Sequence, residues 1–294
     1  MNGTMVPVAL LSNPLAVRVS VLKQLKTELQ DARYLQIAYL ASFLCYGIYQ
    51  LGWEIKADNF ITTLSVAVVT QLAGAYFTKQ PYSSVKSALI TVMGLTLLMR
   101  SQEAWVYGLA ALLAVGSKFI VRFNGKHIVN PANFGIIATI LLTGEAWISP
   151  GQWGNQQALL FMIGAAGLMV VFKVGRFDLA LPFLFTFAGL EFYRTVMYQG
   201  WPVDFFWHKI LNGSLMLFTF FMITEPKSTP NHKAGRIVFA IAVAALSFWL
   251  GNFKFVNVAP VWALFILSPL TIVFDKVLKG EKFQWHQAII NPNK

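Results

Sequence analysis

Residues 118–143 read KFIVRFNGKHIVNPANFGIIATILLT. An apolar run closing at Val121 gives way to the turn-rich stretch Asn124-Gly125-Lys126-His127-Ile128-Val129-Asn130-Pro131, and apolar sequence then resumes only over 133–143. Two other apolar runs, 87–99 and 210–224, are also short. Thirteen helical residues, the length of 87–99, reach roughly 20 Å of a roughly 30 Å hydrocarbon core. Broken or short segments at matching places in two halves of a chain are the mark of an inverted-repeat membrane fold.

The composition places the whole chain in that setting. Of 294 residues only 12% are charged, against 56% hydrophobic and 15% aromatic, with mean hydropathy +0.59. A soluble domain carries roughly a quarter charged residues. Too little polar surface remains for a water-soluble globule, a disordered chain or a disulfide-stapled secreted scaffold. The single cysteine, Cys45, supports no internal disulfide, iron–sulfur cluster or structural zinc, and reads as a buried, inert thiol.

The net charge of +11 reports topology once its placement is traced. Ten apolar runs are found, at about 35–52, 60–77, 87–99, 104–121, 133–143, 157–172, 179–195, 210–224, 237–253 and 257–274, with no charge in their cores. Eighteen of the 23 Lys and Arg fall on alternate connections counted from the N-terminus. That asymmetry predicts a multi-pass protein of the cell membrane with both termini in the cytoplasm, and it leaves no role for nucleic acid. One membrane domain, 35–275, is expected between an N-terminal segment, 1–34, and a tail, 276–294. Leu22, Leu25 and Leu29 share one side of a helix over 18–34 that would lie on the membrane surface. Residues 1–15 have no basic residue ahead of their apolar part and are not read as a secretory signal.

Ten spans divide as five plus five, and an odd number per half sets the halves in opposite orientation. The expected fold class is an all-α polytopic membrane protein of about ten transmembrane helices, a 5+5 inverted repeat with helices 3, 5 and 8 short or broken. A shift of 127 residues lays Ser87-Ala88-Leu89 on Ser214-Leu215-Met216 and Val129-Asn130 on Val256-Asn257.

Backbone that is not helical at membrane depth must find partners in protein or in a filled cavity, so a ligand is expected beside the broken spans. Two polar stretches flank them. In the first, Asn130 precedes a proline, Pro131 suits a first helical turn, and Asn133 follows within that turn. Their amides have two readings: donors and acceptors for a polar ring or phosphate, or a plain helix cap. In the second, Met222-Ile223-Thr224-Glu225-Pro226-Lys227-Ser228-Thr229-Pro230 leads to Gly235-Arg236. Glu225 either pairs with Arg236 or Lys227 or accepts a hydrogen bond from a ligand. Glu191 and Arg194 read as an interfacial pair, and the four histidines lack metal-ligand spacing.

Together, these stretches on a ten-span chain resemble the NqrB/RnfD family, the flavin-carrying membrane subunits of the sodium-pumping NADH:quinone reductase and of the Rnf electron-transport complex. The resemblance rests on Lys126 with Asn130-Pro131-Ala132-Asn133 and on Thr224-Glu225-Pro226 with Gly235-Arg236, and runs from about residue 31 to 278. It implies a urea-transporter-like fold and electron transfer through a flavin toward a quinone or partner redox subunit, with ion movement as a possible coupling. By that resemblance, the flavin-binding residues are Lys126, Asn130, Pro131, Asn133, Thr224, Glu225 and Arg236. Members with covalent FMN carry it on a Ser/Thr-Gly-Ala-Thr motif after the fifth span. Here that connection reads Leu142-Thr143-Gly144-Glu145-Ala146-Trp147, so covalent FMN is expected to be absent and FMN or riboflavin to bind noncovalently. No glycine fingerprint for NADH is present. The alternative is a non-redox transporter or channel for a small, largely neutral solute, a flavin included, in the same cavity.

Overall fold

A computed structural model describes residues 31–79, 84–149 and 157–283. The amphipathic helix expected over 18–34 lies outside the described residues almost entirely. The described chain is helical, in the order α1 (Ala32–Gln50), α2 (Ala57–Thr78), α3 (Val85–Leu98), α4 (Ala104–Ile120), α5 (Pro131–Thr143), α6 (Gln157–Val174), α7 (Phe177–Phe192), α8 (Val203–Ile210), α9 (Gly213–Leu217), α10 (Lys233–Phe253), α11 (Ala259–Leu267) and α12 (Leu270–Val277). Wider π-helical turns extend α7 over Tyr193–Tyr198 and α9 over Phe218–Met222.

The outer surface is apolar, with Phe77, Phe161 and Phe172 exposed by 80, 78 and 73%, as a lipid-facing wall requires. Cys45 belongs to this wall. It is exposed, because a bilayer lets an apolar helix turn its small apolar residues outward, and the expectation of a buried thiol is corrected. Among the described residues, α2 and α10 alone are long and apolar enough to cross a membrane unaided. The pair α11 and α12, bent by 50° at Ser268-Pro269, forms a third candidate. Several shorter apolar helices lie beside them, among them α3, α5 and Gly213–Met222, where short spans were expected.

The helices pack in two sets with the same internal pattern. In the first, α2 lies on α4 and α4 on α5, with α1 and α2 both against α3. In the second, α7 lies on α10 and α10 on α11, with α6 against α9 and its π-turn. The starts of α5 and α11, at N-caps Asn130 and Val258, are 128 residues apart, and the two helices touch. Fully buried Phe43, Leu95, Phe183, Phe218 and Phe239 fill the core.

Where the short helices stop, backbone pairing takes over. Strand β1 (Met99–Ser101), following α3, pairs antiparallel with β4 (Ala146–Ile148), following α5, and the Ser149 N–H extends the ladder to the Leu98 carbonyl at 3.0 Å. β1 is buried along its length, so the pairing supplies partners that water cannot reach. Between α4 and α5, β2 (Arg122–Phe123) and β3 (Lys126–His127) form a small hairpin. Its turn needs Asn124 and Gly125, both at positive φ.

Candidate functional site

The start of α5 is built as its sequence directs. Asn130 is the N-cap: its Oδ1 accepts the Asn133 N–H at 3.1 Å, and Pro131 occupies the first helical position. The cap side chain does a second task, since its Nδ2 donates to the Met222 carbonyl at 3.1 Å. Asn133 is fully buried and donates to the Val261 carbonyl at 2.7 Å. These amides tie α5 to the end of the α9 π-turn and to the first turn of α11. Both amides donate across to the other helix set; Asn133 Oδ1 has no partner among the described residues, and Asn130 also borders a cavity.

The second polar stretch divides similarly. Thr224 is buried and donates to the Phe220 carbonyl at 2.6 Å. The Glu225 carbonyl accepts from the Ser228 N–H at 3.3 Å and from Thr229 Oγ1 at 3.2 Å, forming the turn. Arg236 pairs with Asp178, at 2.6 Å from Nη2 and 2.8 Å from Nε, rather than with Glu225. Its Nη1 holds the Asn231 carbonyl. Lys126 Nζ lies 2.6 Å from Asp275 Oδ2, and the other Asp275 oxygen accepts the Asn231 N–H at 2.8 Å. Lys126, Asp275, Asn231, Arg236 and Asp178 therefore form one polar strap across β3, α12, the loop before α10, α10 itself and α7.

Of the seven residues singled out by sequence, Asn130, Pro131 and Glu225 line a cavity of about 60 Å³ between α1, α3, the start of α5 and the α9 π-turn. Lys126 and Arg236 belong to the strap, and Asn133 and Thr224 to helix packing. The cavity also draws Arg33 and Gln36 from α1, Ser87 and Thr91 from α3, and His127 from β3. Sequence reading missed these. Ser87 and Thr91 stand four apart on one face of a largely apolar helix, which is the signal that finds them. Lys118, buried at the end of α4, holds Ser87 through its carbonyl at 3.0 Å and its Oγ at 3.2 Å.

Charge around the cavity is dense and mixed. Burial pushes the Glu225 carboxyl above the usual carboxylate range, against the lowering pull of Lys227 and Lys118. Burial, then repulsion from Lys227, Lys118 and Arg122, holds His127 down to about 3. The imidazole is thus neutral near pH 7. An unfolded histidine takes up its proton near pH 6.5, so between pH 6.5 and about 3 the unfolded chain binds the extra proton. His127's contribution to stability is complete above pH 6.5 and is lost as pH falls toward 3. Glu225 slopes the opposite way above its unfolded pKa, so the difference between proteins isolates the histidine. The thermal midpoint of His127→Gln, followed in detergent, is expected to fall less on acidification than that of the unsubstituted protein. Parallel curves would remove His127 as the source.

A second cavity, of about 360 Å³, opens at the start of α11 beside α8. Its rim corrects another expectation, for Glu191 pairs with Lys209 at 2.8 Å and accepts from Asn252, while Arg194 stacks on the Phe253 ring. The partners come from α8 and α10, which no spacing within α7 discloses.

An isoalloxazine needs hydrogen bonds along its pyrimidine edge within an apolar slot. The donor set beside Asn130 fits that chemistry, with Leu97, Leu98, Leu217 and Phe221 as the apolar part. The room is smaller than the ring: a dry cavity of about 150 Å³ takes a single benzene.

Comparison with known proteins follows this geometry. A family model described as the NQR2, RnfD, RnfE family matches residues 137–284, which include the Thr224 to Arg236 stretch and begin just after the Asn130-Pro131 cap. A relative from Stutzerimonas stutzeri, the D-type component of an ion-translocating oxidoreductase complex, is 23% identical over 190 residues, covering 61% of this chain. The chain spans about half, 53%, of that relative's length. With the family model matched over half of its residues, the chain belongs to the NQR2, RnfD, RnfE family.

Proposed function

We propose that the protein is a membrane subunit of an ion-translocating electron-transport complex, binding a flavin noncovalently and passing electrons toward a quinone or a partner redox subunit. Family membership carries this reading. The polar cavity at the capped start of α5 supports the choice of site. When bound, a flavin supplies one- and two-electron transfer. The chain's own part is to hold the ring edge at His127 and Glu225, beside the Asn130-Pro131 cap, and to keep lipid away with α1 and α3.

The same reading includes ten spans as two inverted halves of five in the inner membrane, with both termini and the Lys126 strap on the cytoplasmic side. Support comes from the repeated packing pattern of α2, α4, α5 and α7, α10, α11, and from the alternation of basic connections. The two cavities then open toward opposite faces, and α5 and α11 meet between them.

Gently purified protein is expected to be yellow and fluorescent and to bleach with dithionite. Colourless protein that takes up neither FMN nor riboflavin would sink the flavin reading. One observation favours a second reading: at about 60 Å³ the cavity suits a small neutral solute better than a tricyclic ring. A transporter without redox chemistry would stay colourless and still carry such a solute in vesicles.

A further inference from the structure

Several polar groups around the smaller cavity are engaged. Arg33 is bound twice to Asp31, at 2.6 and 2.9 Å among its contacts. Thr91 Oγ1 donates to the Ser87 carbonyl at 2.8 Å, and Ser87 Oγ takes the Lys118 ammonium. The Asn130 amide is used at both ends. His127 differs. Its ring lines the cavity, yet Nδ1 is buried and has no hydrogen-bond partner among the described residues.

A buried polar atom left alone costs roughly 1–3 kcal/mol, so it calls for an explanation. A neutral imidazole has a single N–H, and a buried N–H without an acceptor is costlier than a bare lone pair, so the proton is assigned to the other nitrogen. Nδ1 is then a bare lone pair on a ring that lines the cavity. Lys227, Lys118 and Arg122 surround the ring and keep it from charging. Glu225 lines the same cavity, its carboxyl raised by burial against the lowering pull of Lys227 and Lys118.

We propose that His127 Nδ1 is the acceptor that recognises the cavity's occupant, and that the occupant presents the N–H of an imide or amide. Such a group carries an N–H donor, matching an acceptor at His127. For a flavin the group is the imide N–H of the pyrimidine edge; for a small solute it is a primary amide. The flavin form rests on the proposed function, and the amide form rests on the second reading.

The full chain in detergent micelles is titrated with riboflavin and with N3-methylriboflavin, following quenching of flavin fluorescence. The unsubstituted protein is expected to bind riboflavin about tenfold more tightly, the loss of one hydrogen bond. His127→Ala is expected to bind riboflavin more weakly and to lose the preference. Equal affinities in the unsubstituted protein, a comparison that needs no variant, overturn the proposal, as does a preference that survives in His127→Ala. If neither flavin binds, the electron-transport reading fails by itself. The second arm then decides, with vesicles carrying the protein tested for acetamide and N,N-dimethylacetamide uptake. Acetamide favoured in the unsubstituted protein, with the preference lost in His127→Ala, sustains the proposal; no preference overturns it.

Discussion

Replacing Gly135 by leucine is expected to leave no folded protein in the membrane. α5 crosses α4 at this residue, so closely that a Cβ on Gly135 would lie 2.6 Å from the Ala110 carbonyl oxygen and 2.6 Å from the Ala114 Cβ. The first obstacle is backbone and has no rotamer to adopt. Relief requires the two helices to separate, and with them the Asn130 cap and the cavity wall. Even Gly135→Ala is expected to cost about 1–3 kcal/mol, the usual range for overpacking, and leucine adds three further heavy atoms. Association of apolar helices depends on such close approach by small residues, because lipid is as apolar as the helices themselves. Gly164 in α6 is the control: nothing lies within 4 Å of its Cβ position. There, alanine is expected to be neutral or to stabilise by about 0.5–1 kcal/mol through helix propensity. Size-exclusion profiles after a heating series measure both. A Gly135→Leu protein that melts with the parent would show that α4 and α5 do not meet at this point.

Asp275→Ala is the second large effect. The carboxylate neutralises Lys126 and accepts the Asn231 N–H, and both side chains of the pair are largely shielded, at 12 and 17% exposure. Removing it leaves the Lys126 ammonium beside Arg176 and Arg236, whose charges already oppose it. Breaking a fully buried pair costs about 3–5 kcal/mol, and partial exposure brings the expectation here to about 2–3 kcal/mol. Asp275→Asn keeps an acceptor for Asn231 without the charge, and is expected to fall between alanine and the parent. The double variant Lys126→Met, Asp275→Leu is expected to recover part of the loss, because it removes the stranded ammonium as well as its partner. If the Lys126→Met and Asp275→Ala losses simply add when combined, the two residues are not coupled and the strap is wrongly drawn.

Both residues show how far the sequence could be read. The shortness of α3 and α5 was legible, because the length of an apolar run is a local property and Asn124-Gly125 and Asn130-Pro131 punctuate it. The bend at Ser268-Pro269 was not, since the run over 257–274 stays apolar through it and a single proline does not say whether a helix ends or turns. Partnerships were harder still. Arg236 sits eleven residues from Glu225 and 58 from Asp178, and it binds the distant acid. Pairing at that range is set by which helices pack together, and one sequence carries no record of it. The same holds for His127, which reads as one connection histidine among several until the hairpin turns it toward α1 and α3.

The pairing of β1 with β4 also sets an order of events. β1 ends at Ser101 and its partner closes at Ile148, so the backbone groups that follow α3 wait for 47 more residues to be made. At about 5–20 residues per second the wait is roughly 2–10 seconds. Through that interval α3 cannot take its final depth in lipid, since the groups beyond it need water or another protein. The first half of this chain therefore matures as a unit only after α5 has left the ribosome, and cellular machinery that shelters nascent membrane segments has a defined client stretch here, from the end of α3 to β4.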